Sequence, residues 1–413
     1  MRRVVVTGMG LVTPIGNSPA VFFSSLLHKK SGVRRITAFD AARLAAPIAA
    51  EAEFDPGAHF SPKQLDLYDR FTQMALLAAR QAVDDAGYVP ADGDRLRWGV
   101  CLGSAYGGAV SYNASFYALY AQGNDRLHPL SIPRLMHNAS TSAVAMEMGA
   151  QGPSLLISTA CASAAHAIGE AFHTIRSGRA DRMLAGGSDA PITFPVMRGW
   201  EAMRVLAAPA SPADGDAARA CRPFSADRTG LVVGEGAGIL FLEEYQRARG
   251  RGARIYAELA GYGASSDAAH ITHPSVEGPA RAMQTALDEA HVGPEQIGYI
   301  NAHGTGTKLN DVVETRAIRQ VFGARAGKVP VSSTKALHGH LMGAAGAVEL
   351  MAAILAMQQG VIPPTAHYTR ADPECDLDYV PNEPRAARIE AAMSNSFAFG
   401  GLNATVVVKT VES

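Results

Sequence analysis

Charge imbalance is the first thing this chain lacks: 37 Lys and Arg face 38 Asp and Glu across 413 residues, for a formal net charge of −1. Without a long-range field, neither nucleic acid nor an anionic membrane is an expected partner. Charged residues are few, at 18% against 47% hydrophobic, the balance of a well-buried globular protein. Cysteine is scarce as well. The four, Cys101, Cys161, Cys221 and Cys375, form no C-x-x-C pair and no metal-type spacing, which excludes a disulfide framework and suits a reducing compartment. No apolar run reaches the roughly 18–20 residues that span a bilayer, and MRRVVVTGMG lacks the apolar stretch of a signal peptide. A soluble, cytoplasmic protein is expected. A dinucleotide fingerprint is missing too: VVVTGMGLVTPIG offers a strand followed by G-x-G, but Thr13 stands where the third glycine belongs and Pro14 disturbs a helix start.

What is abundant is glycine, 41 residues, many at strand-to-helix turns that carry reactive side chains. In SLLISTACASAAHAIGEAFHTIRSG a small-residue strand leads through Cys161 into a helix. A cysteine at a first helical turn meets the positive end of the dipole and unpaired amides, which favour the thiolate. Ser158, Thr159, Ala160, Ala162, Ser163, Ala164 and Ala165 are all small, so a substrate can approach the sulfur from both sides. Two more segments share this organisation. IGYINAHGTGTKLNDVVETRAI places His303 at a strand end before a helix expected from about Asp311, with Glu314 in its first turn; KVPVSSTKALHGHLMGAAGAVELMAAILAMQQG places Lys335 and His340 before a glycine- and alanine-rich helix that needs close packing. His303 and His340 stand beside glycines at the carboxyl ends of strands, where open α/β sheets place ligands. His28, His166, His173, His291 and His367 have no such setting and are expected to be structural, as are the other three cysteines.

On these motifs the chain resembles the elongating β-ketoacyl-acyl carrier protein synthases of the thiolase fold. TACAS, NAHGTGT, the lysine of STKALHGH, GHLMGAAGA and FAFGGLN follow in family order over nearly the whole chain. The resemblance implies a five-layer α-β-α-β-α body of two similar halves and a decarboxylative Claisen condensation between an acyl group on Cys161 and a malonyl group on a carrier protein. It implies that His303 and His340 stabilise the enolate, that Lys335 supports them, and that the amides of Cys161 and Phe399 form an oxyanion hole. Phe399 would gate the pocket beside Gly400. Thr305 and Thr307 would contact the pantetheine arm, although a turn-stabilising role for these hydroxyls is equally consistent with the sequence.

No cofactor is expected. Glu349, near Asn301, Ser394 and Asn395, is read as a buried carboxylate satisfied by backbone amides, with no metal site. A degradative thiolase would carry a second catalytic cysteine where Phe399 stands, and a non-catalytic chain-length-type subunit would lack Cys161. The expected partners are acyl carrier protein and a second ketosynthase-like subunit, in a homodimer or in a heterodimer with a nucleophile-lacking sister. The pathway stays open between fatty-acid elongation and a polyketide or aryl-polyene type. Tyr106, in GSAYGG, falls at an acyl-pocket position usually aliphatic in fatty-acid elongators. Asp66 and Leu67 replace basic carrier-docking residues, leaving Lys63, Arg70 and Arg204 to meet the carrier.

Strands are expected at Val4–Val12, Trp98–Gly103, Ser154–Thr159, Met183–Gly187 and Ala237–Leu242, with helices at Leu65–Ala86 and Ala162–Ser177. After the charged joint EEYQRARGRGAR the pattern restarts, with strands at Ile255–Tyr262, Ile297–Ala302, Val329–Ser333, Ala391–Ser396 and Ala404–Lys409. The division is expected near residue 250, into halves 1–250 and 251–413. Surface loops are expected at 207–219 and at Asp376–Arg385.

Overall fold

The structure is a computed structural model that describes residues 1–91, 93–207 and 217–411, so most of the expected 207–219 loop lies outside the described residues. Ten strands make one continuous hydrogen-bonded sheet. In chain order they are β1 (Val4–Val12), β2 (Trp98–Gly103), β3 (Ser154–Ile157), β4 (Arg182–Asp189), β5 (Gly236–Glu244), β6 (Ala257–Ser266), β7 (Ile297–Asn301), β8 (Val331–Ser332), β9 (Ala391–Ala398) and β10 (Leu402–Lys409). Their spatial order is β8-β7-β9-β10-β6-β1-β5-β4-β2-β3. From each outer edge inward the halves run alike: third, second, fourth, fifth, first strand. Strand directions repeat also, with β2 parallel to β3 and β4, β7 parallel to β8 and β9, and the remaining neighbours antiparallel. The halves join where Val4–Val6 of β1 pair with Ala257–Leu259 of β6.

Helices fill the space between and outside the halves. The central layer is α2 (Ser163–Arg176) with α5 (Ala345–Gln359); α1 (Arg70–Asp85) covers one outer face, and α3 (Glu277–Ala290) and α4 (Lys308–Phe322) the other. Buried residues divide accordingly into a large central cluster containing α2 and α5 and two flanking clusters. Every residue of α5 from Ala345 to Met357 is buried, as a helix apolar on every side apart from Glu349 must be when it packs between the two halves. Its glycine is a packing requirement: a Cβ on Gly346 would stand 2.8 Å from Ser396 Oγ and 3.0 Å from Ala165 Cβ.

The G-x-G of β1 answers to the same constraint. A Cβ on Gly8 would lie 2.1 Å from the Ala82 carbonyl oxygen, and one on Gly10 2.0 Å from that of Ala78; the glycines let α1 lie across the strand. Asp85 and Gln81 of α1 then accept from the Met9 and Leu11 amides at 2.9 Å.

Many expected boundaries shift by a few residues. The helix expected over Leu65–Ala86 is two helices, Pro62–Leu67 and Arg70–Asp85, because Asp69 leaves the helix to cap Phe71 at 3.2 Å and accept from Ser111 at 2.6 Å. The helix expected from Asp311 starts at Lys308, which puts Asp311, not Glu314, in the first turn. Asp376–Arg385 is irregular until Arg385, which opens a two-residue strand paired with Val361–Ile362.

Candidate active site

Cys161 sits in a single 3-10 turn, Ala160–Ala162, between β3 and α2. Ala160 takes a left-handed φ of 49°, a strained state for a residue with a Cβ. Ser163 pins the turn by accepting from the Thr159 amide at 2.9 Å and donating to the Ala160 carbonyl at 2.7 Å. His303 follows β7, and its loop is held by α4. The two oxygens of Glu314 accept from the His303 and Gly304 amides at 2.8 and 2.7 Å; Asp311 accepts from Gly306 at 3.2 Å and from Phe224 at 2.7 Å. The backbone of His340 is fixed on both sides, donating to the Val232 carbonyl at 2.7 Å and accepting from Gly234 at 2.8 Å.

These turns bring the three reactive side chains together. The Cys161 sulfur and one nitrogen from each of His303 and His340 lie within 4.8 Å of one another, with the rings 5.3 Å apart and nearly perpendicular, at 83°. All three residues are buried. Hydrogen bonding fixes both tautomers. The Lys335 ammonium donates toward His303 Nδ1 at 3.3 Å, and the Met342 amide donates to His340 Nδ1 at 3.3 Å; Nε2 therefore carries the proton in each neutral ring. Burial, reinforced by the Lys335 charge, holds both imidazoles well below their usual range. Both rings are neutral Nε2–H donors at pH 7, and that of His340 meets no partner among the described residues.

Lys335 is fully buried. It donates to the His303 carbonyl at 2.6 Å and forms an ion pair with Glu349. This corrects the expectation for Glu349, whose carboxylate is met by a cation and not by backbone amides. Burial pushes Glu349 up to about 7, opposed by Lys335, and Glu314 likewise to about 7, opposed by the amides it accepts from.

The activated-thiolate expectation for Cys161 is also corrected. Burial pushes its thiol up to about 12, with the Lys335 charge the strongest influence in the other direction. Cys161 precedes α2 instead of lying in its first turn, and a buried site makes ionisation costly. Burial therefore works against the thiolate, with Lys335 opposing it.

A pocket of about 460 Å³ opens onto this group. Cys161, His303, His340, Thr305, Thr307, Phe399 and Gly400 all line it; Phe399 is half-buried and Gly400 exposed. The Thr305 and Thr307 hydroxyls are 2.9 Å apart, and the Thr307 amide donates to Thr305 Oγ1 at 3.4 Å. They stabilise their own turn while facing the pocket. Tyr106 is not among the lining residues. It packs against the apolar cluster of Ile192, Met197, Trp200, Leu231 and Met342 that also receives Phe399.

Arg204 and Lys308 line the pocket, and Lys63 is exposed. Arg70 does not present a free charge: it is held by Glu235 at 2.6 Å and by the Ala52 carbonyl at 3.2 Å. Asp66 pairs with His128 at 2.9 Å. Sequence reasoning missed Asp189, a buried carboxylate that accepts from Ser104 Oγ and from the amides of Ala105, Tyr106 and Gly343 at 2.6–3.0 Å. It ties the Tyr106 turn to the turn after His340, and only the small residues around it in sequence hinted at this. Cys101, Cys221 and Cys375 lie in the core, away from the pocket. Among the other histidines, His166 bonds Thr159 Oγ1 at 2.9 Å and His173 bonds Glu289 at 3.0 Å, as structural residues do.

A buried thiol facing two neutral N–H donors at the end of an apolar pocket, on a duplicated α/β body, defines a carbon–carbon condensing enzyme of the thiolase fold. Comparison with known proteins agrees. The profiles "Beta-ketoacyl synthase, N-terminal domain" and "Beta-ketoacyl synthase, C-terminal domain" match residues 1–248 and 256–369. Nodulation protein E of Rhizobium sp. (strain N33) is 44% identical over 410 residues, covering 99% of this chain and all of the relative. The 3-oxoacyl-[acyl-carrier-protein] synthase 2 of Staphylococcus aureus (strain N315) is 42% identical over 415 residues, covering 100% of this chain and 99% of its own length. Among solved structures, the ishigamide ketosynthase/chain length factor superposes with a TM-score of 0.92 at 37% identity over the whole of both chains. The chain belongs to the beta-ketoacyl synthase family. It is an acyl-transferring condensing enzyme of the elongating type.

Proposed function

We propose that this enzyme elongates acyl chains on an acyl carrier protein, with Cys161 as the acyl acceptor and His303 and His340 as the enolate donors. In the first half-reaction the Cys161 sulfur attacks the acyl thioester; the S–acyl bond to the carrier breaks, and the thiol proton of Cys161 leaves with the carrier's sulfur. In the second, malonyl thioester loses carbon dioxide. The electron pair of the broken C–C bond forms an enolate, whose oxygen takes hydrogen bonds from the two Nε2–H groups. The enolate carbon attacks the acyl-Cys161 carbonyl, the C–S bond breaks, and a 3-oxoacyl thioester departs while the Cys161 thiolate takes a proton from water. The amides of Cys161 and Phe399 serve as the oxyanion hole, and Thr305, Thr307 and Gly400 hold the thioester arm. Lys335 positions His303. The observation that carries this reading is the cluster of one thiol and two Nδ1-anchored imidazoles within 4.8 Å at the pocket's end.

The carrier is the expected partner because the Staphylococcus relative is named for it. The pairing of ketosynthase with chain length factor in a solved relative supports reading the protein as a dimer; no described helix is long and apolar enough to cross a membrane. The ketosynthase/chain length factor likeness favours a second reading, in which the partner is a nucleophile-lacking sister. Incubating the purified chain alone with acyl- and malonyl-loaded carrier protein tests both. Formation of the 3-oxoacyl product supports the homodimer; product only on addition of a sister subunit supports the heterodimer; no product with either contradicts the function.

A further inference from the structure

A buried carboxylate beside the site has no part in the steps above: Asp189, the last residue of β4, fully buried. Its Oδ1 accepts from Ser104 Oγ at 2.7 Å and from the Tyr106 amide at 3.0 Å, and its Oδ2 from the Ala105 and Gly343 amides at 2.9 and 2.6 Å. Every one of these partners is a donor. The group is therefore held as a carboxylate, because a protonated oxygen would turn its O–H on another N–H or O–H.

The Gly343 bond lies one amide away from the catalytic histidine. Met342–Ala344 form a single 3-10 turn after His340, and its first two amides go to different acceptors, Met342 to His340 Nδ1 at 3.3 Å and Gly343 to Asp189. Met342 holds a left-handed φ of 50°, a state that a residue with a Cβ keeps only where its surroundings impose it. The end of β4 imposes it here. A Cβ on Gly187, two residues before Asp189, would lie 2.6 Å from the Gly343 carbonyl oxygen, so the turn rests directly on the strand end and Asp189 takes the amide presented there. Releasing that amide lets the turn relax, and the Met342 amide moves with it. His340 Nδ1 then loses the donor that keeps the ring proton on Nε2.

We propose that Asp189 is a positioning residue for the enolate step: by holding the Gly343 amide it sets the turn from which Met342 donates to His340 Nδ1, and so keeps the His340 Nε2–H aimed at the enolate oxygen. This deepens, and rests on, the assignment of His340 as an enolate donor. A second effect of the carboxylate makes the role recognisable. Its charge acts on Cys161 against the thiolate, alongside Glu349 and in opposition to Lys335, so losing the charge and losing the tie have different consequences at the sulfur.

Two variants separate them. Asp189→Asn removes the charge and sets an amide N–H group against donors; Gly343→Ala keeps the charge but places a Cβ 2.5 Å from Asp189 Oδ2, which forces the tie apart. In each, carbon dioxide release from malonyl pantetheine thioester should fall roughly tenfold to a hundredfold, while acylation of Cys161 falls by less than about fivefold. Added to His340→Ala, Asp189→Asn should cost little further release, since it acts through that ring. Iodoacetamide alkylation of Cys161 at pH 9 should rise roughly threefold or more in Asp189→Asn and keep the wild-type rate in Gly343→Ala. Thermal unfolding identifies folded variants, and either variant alone carries the kinetic test. Unchanged carbon dioxide release, equal loss of acylation and release, or a full further loss in the His340→Ala background overturns the positioning role. Alkylation that changes equally in both variants also overturns it, as a general loosening of the site. Wild-type enzyme that neither loads Cys161 nor releases carbon dioxide overturns the function itself.

Discussion

Replacing His340 by Ala separates the roles assigned to thiol and imidazoles. The side chain makes two contacts of different kinds: Nδ1 accepts from the Met342 amide at 3.3 Å, and Nε2–H has no partner among the described residues until an enolate arrives. Losing the first contact leaves one long hydrogen bond unmade, worth about 1 kcal/mol, or a factor of about five. Losing the second removes a buried oxyanion donor, typically worth roughly a hundredfold to a thousandfold in rate. Because the two magnitudes differ, the half-reactions should part. Acylation of Cys161 by an acyl carrier thioester should fall by less than about tenfold, whereas malonyl decarboxylation and condensation should fall by roughly a hundredfold or more. Stopped time courses following acyl-enzyme mass, carbon dioxide release and 3-oxoacyl product measure all three on one preparation. Equal loss of acylation and decarboxylation would refute the reasoning, since it would make His340 part of the nucleophile's activation.

Iodoacetamide should label Cys161 ahead of Cys101, Cys221 and Cys375, because Cys161 alone of the four lines the pocket. With its thiol pushed up to about 12 by burial, alkylation should still be climbing between pH 8 and pH 10; a plateau below pH 8, read by peptide mapping, would show a stabilised thiolate instead. Glu349→Gln leaves the Lys335 charge buried without its counter-ion, and breaking such a pair is expected to lower unfolding free energy by about 3–5 kcal/mol. Guanidinium titration checks this, with Lys335→Met/Glu349→Leu recovering much of the loss, and a change under about 1 kcal/mol in the single variant contradicts the pairing. Glu314→Gln keeps one acceptor for two amides, so condensation should drop by roughly tenfold while acylation persists; unchanged condensation would free His303 from that clamp.

The residues that gather at the pocket were legible because each lies in a contiguous strand-turn-helix segment whose small residues announce close approach: TACAS for Cys161, NAHGTGT for His303, KALHGH for Lys335 and His340. The strand segments, restarting after residue 250, were legible as apolar runs; their spatial order was not. What stayed hidden acts across the chain. Glu314 and Asp189 accept from backbone amides, and any residue type can supply an amide, so their partners leave no mark in sequence. Burial was the other blind spot. Local position argued for a thiolate at Cys161, but the fold buries the sulfur, and desolvation outweighs the amides and Lys335. Asp69 illustrates a signal present but passed over: an aspartate ahead of RFTQMALL is an N-cap, and reading it so would have divided the helix expected over Leu65–Ala86.

The central claim is that Cys161 carries the growing chain and surrenders it to a malonyl-derived enolate, and a pulse-chase on that one peptide tests it most directly. The enzyme is loaded from an acyl carrier thioester, freed of excess substrate and digested before and after addition of malonyl carrier protein. The account predicts the mass of the acyl group on the peptide containing Cys161 before the chase, and its disappearance afterwards in step with carbon dioxide and one equivalent of 3-oxoacyl product. An acyl mark on any other residue, or an acyl-Cys161 that persists unchanged through the malonyl chase, would contradict it.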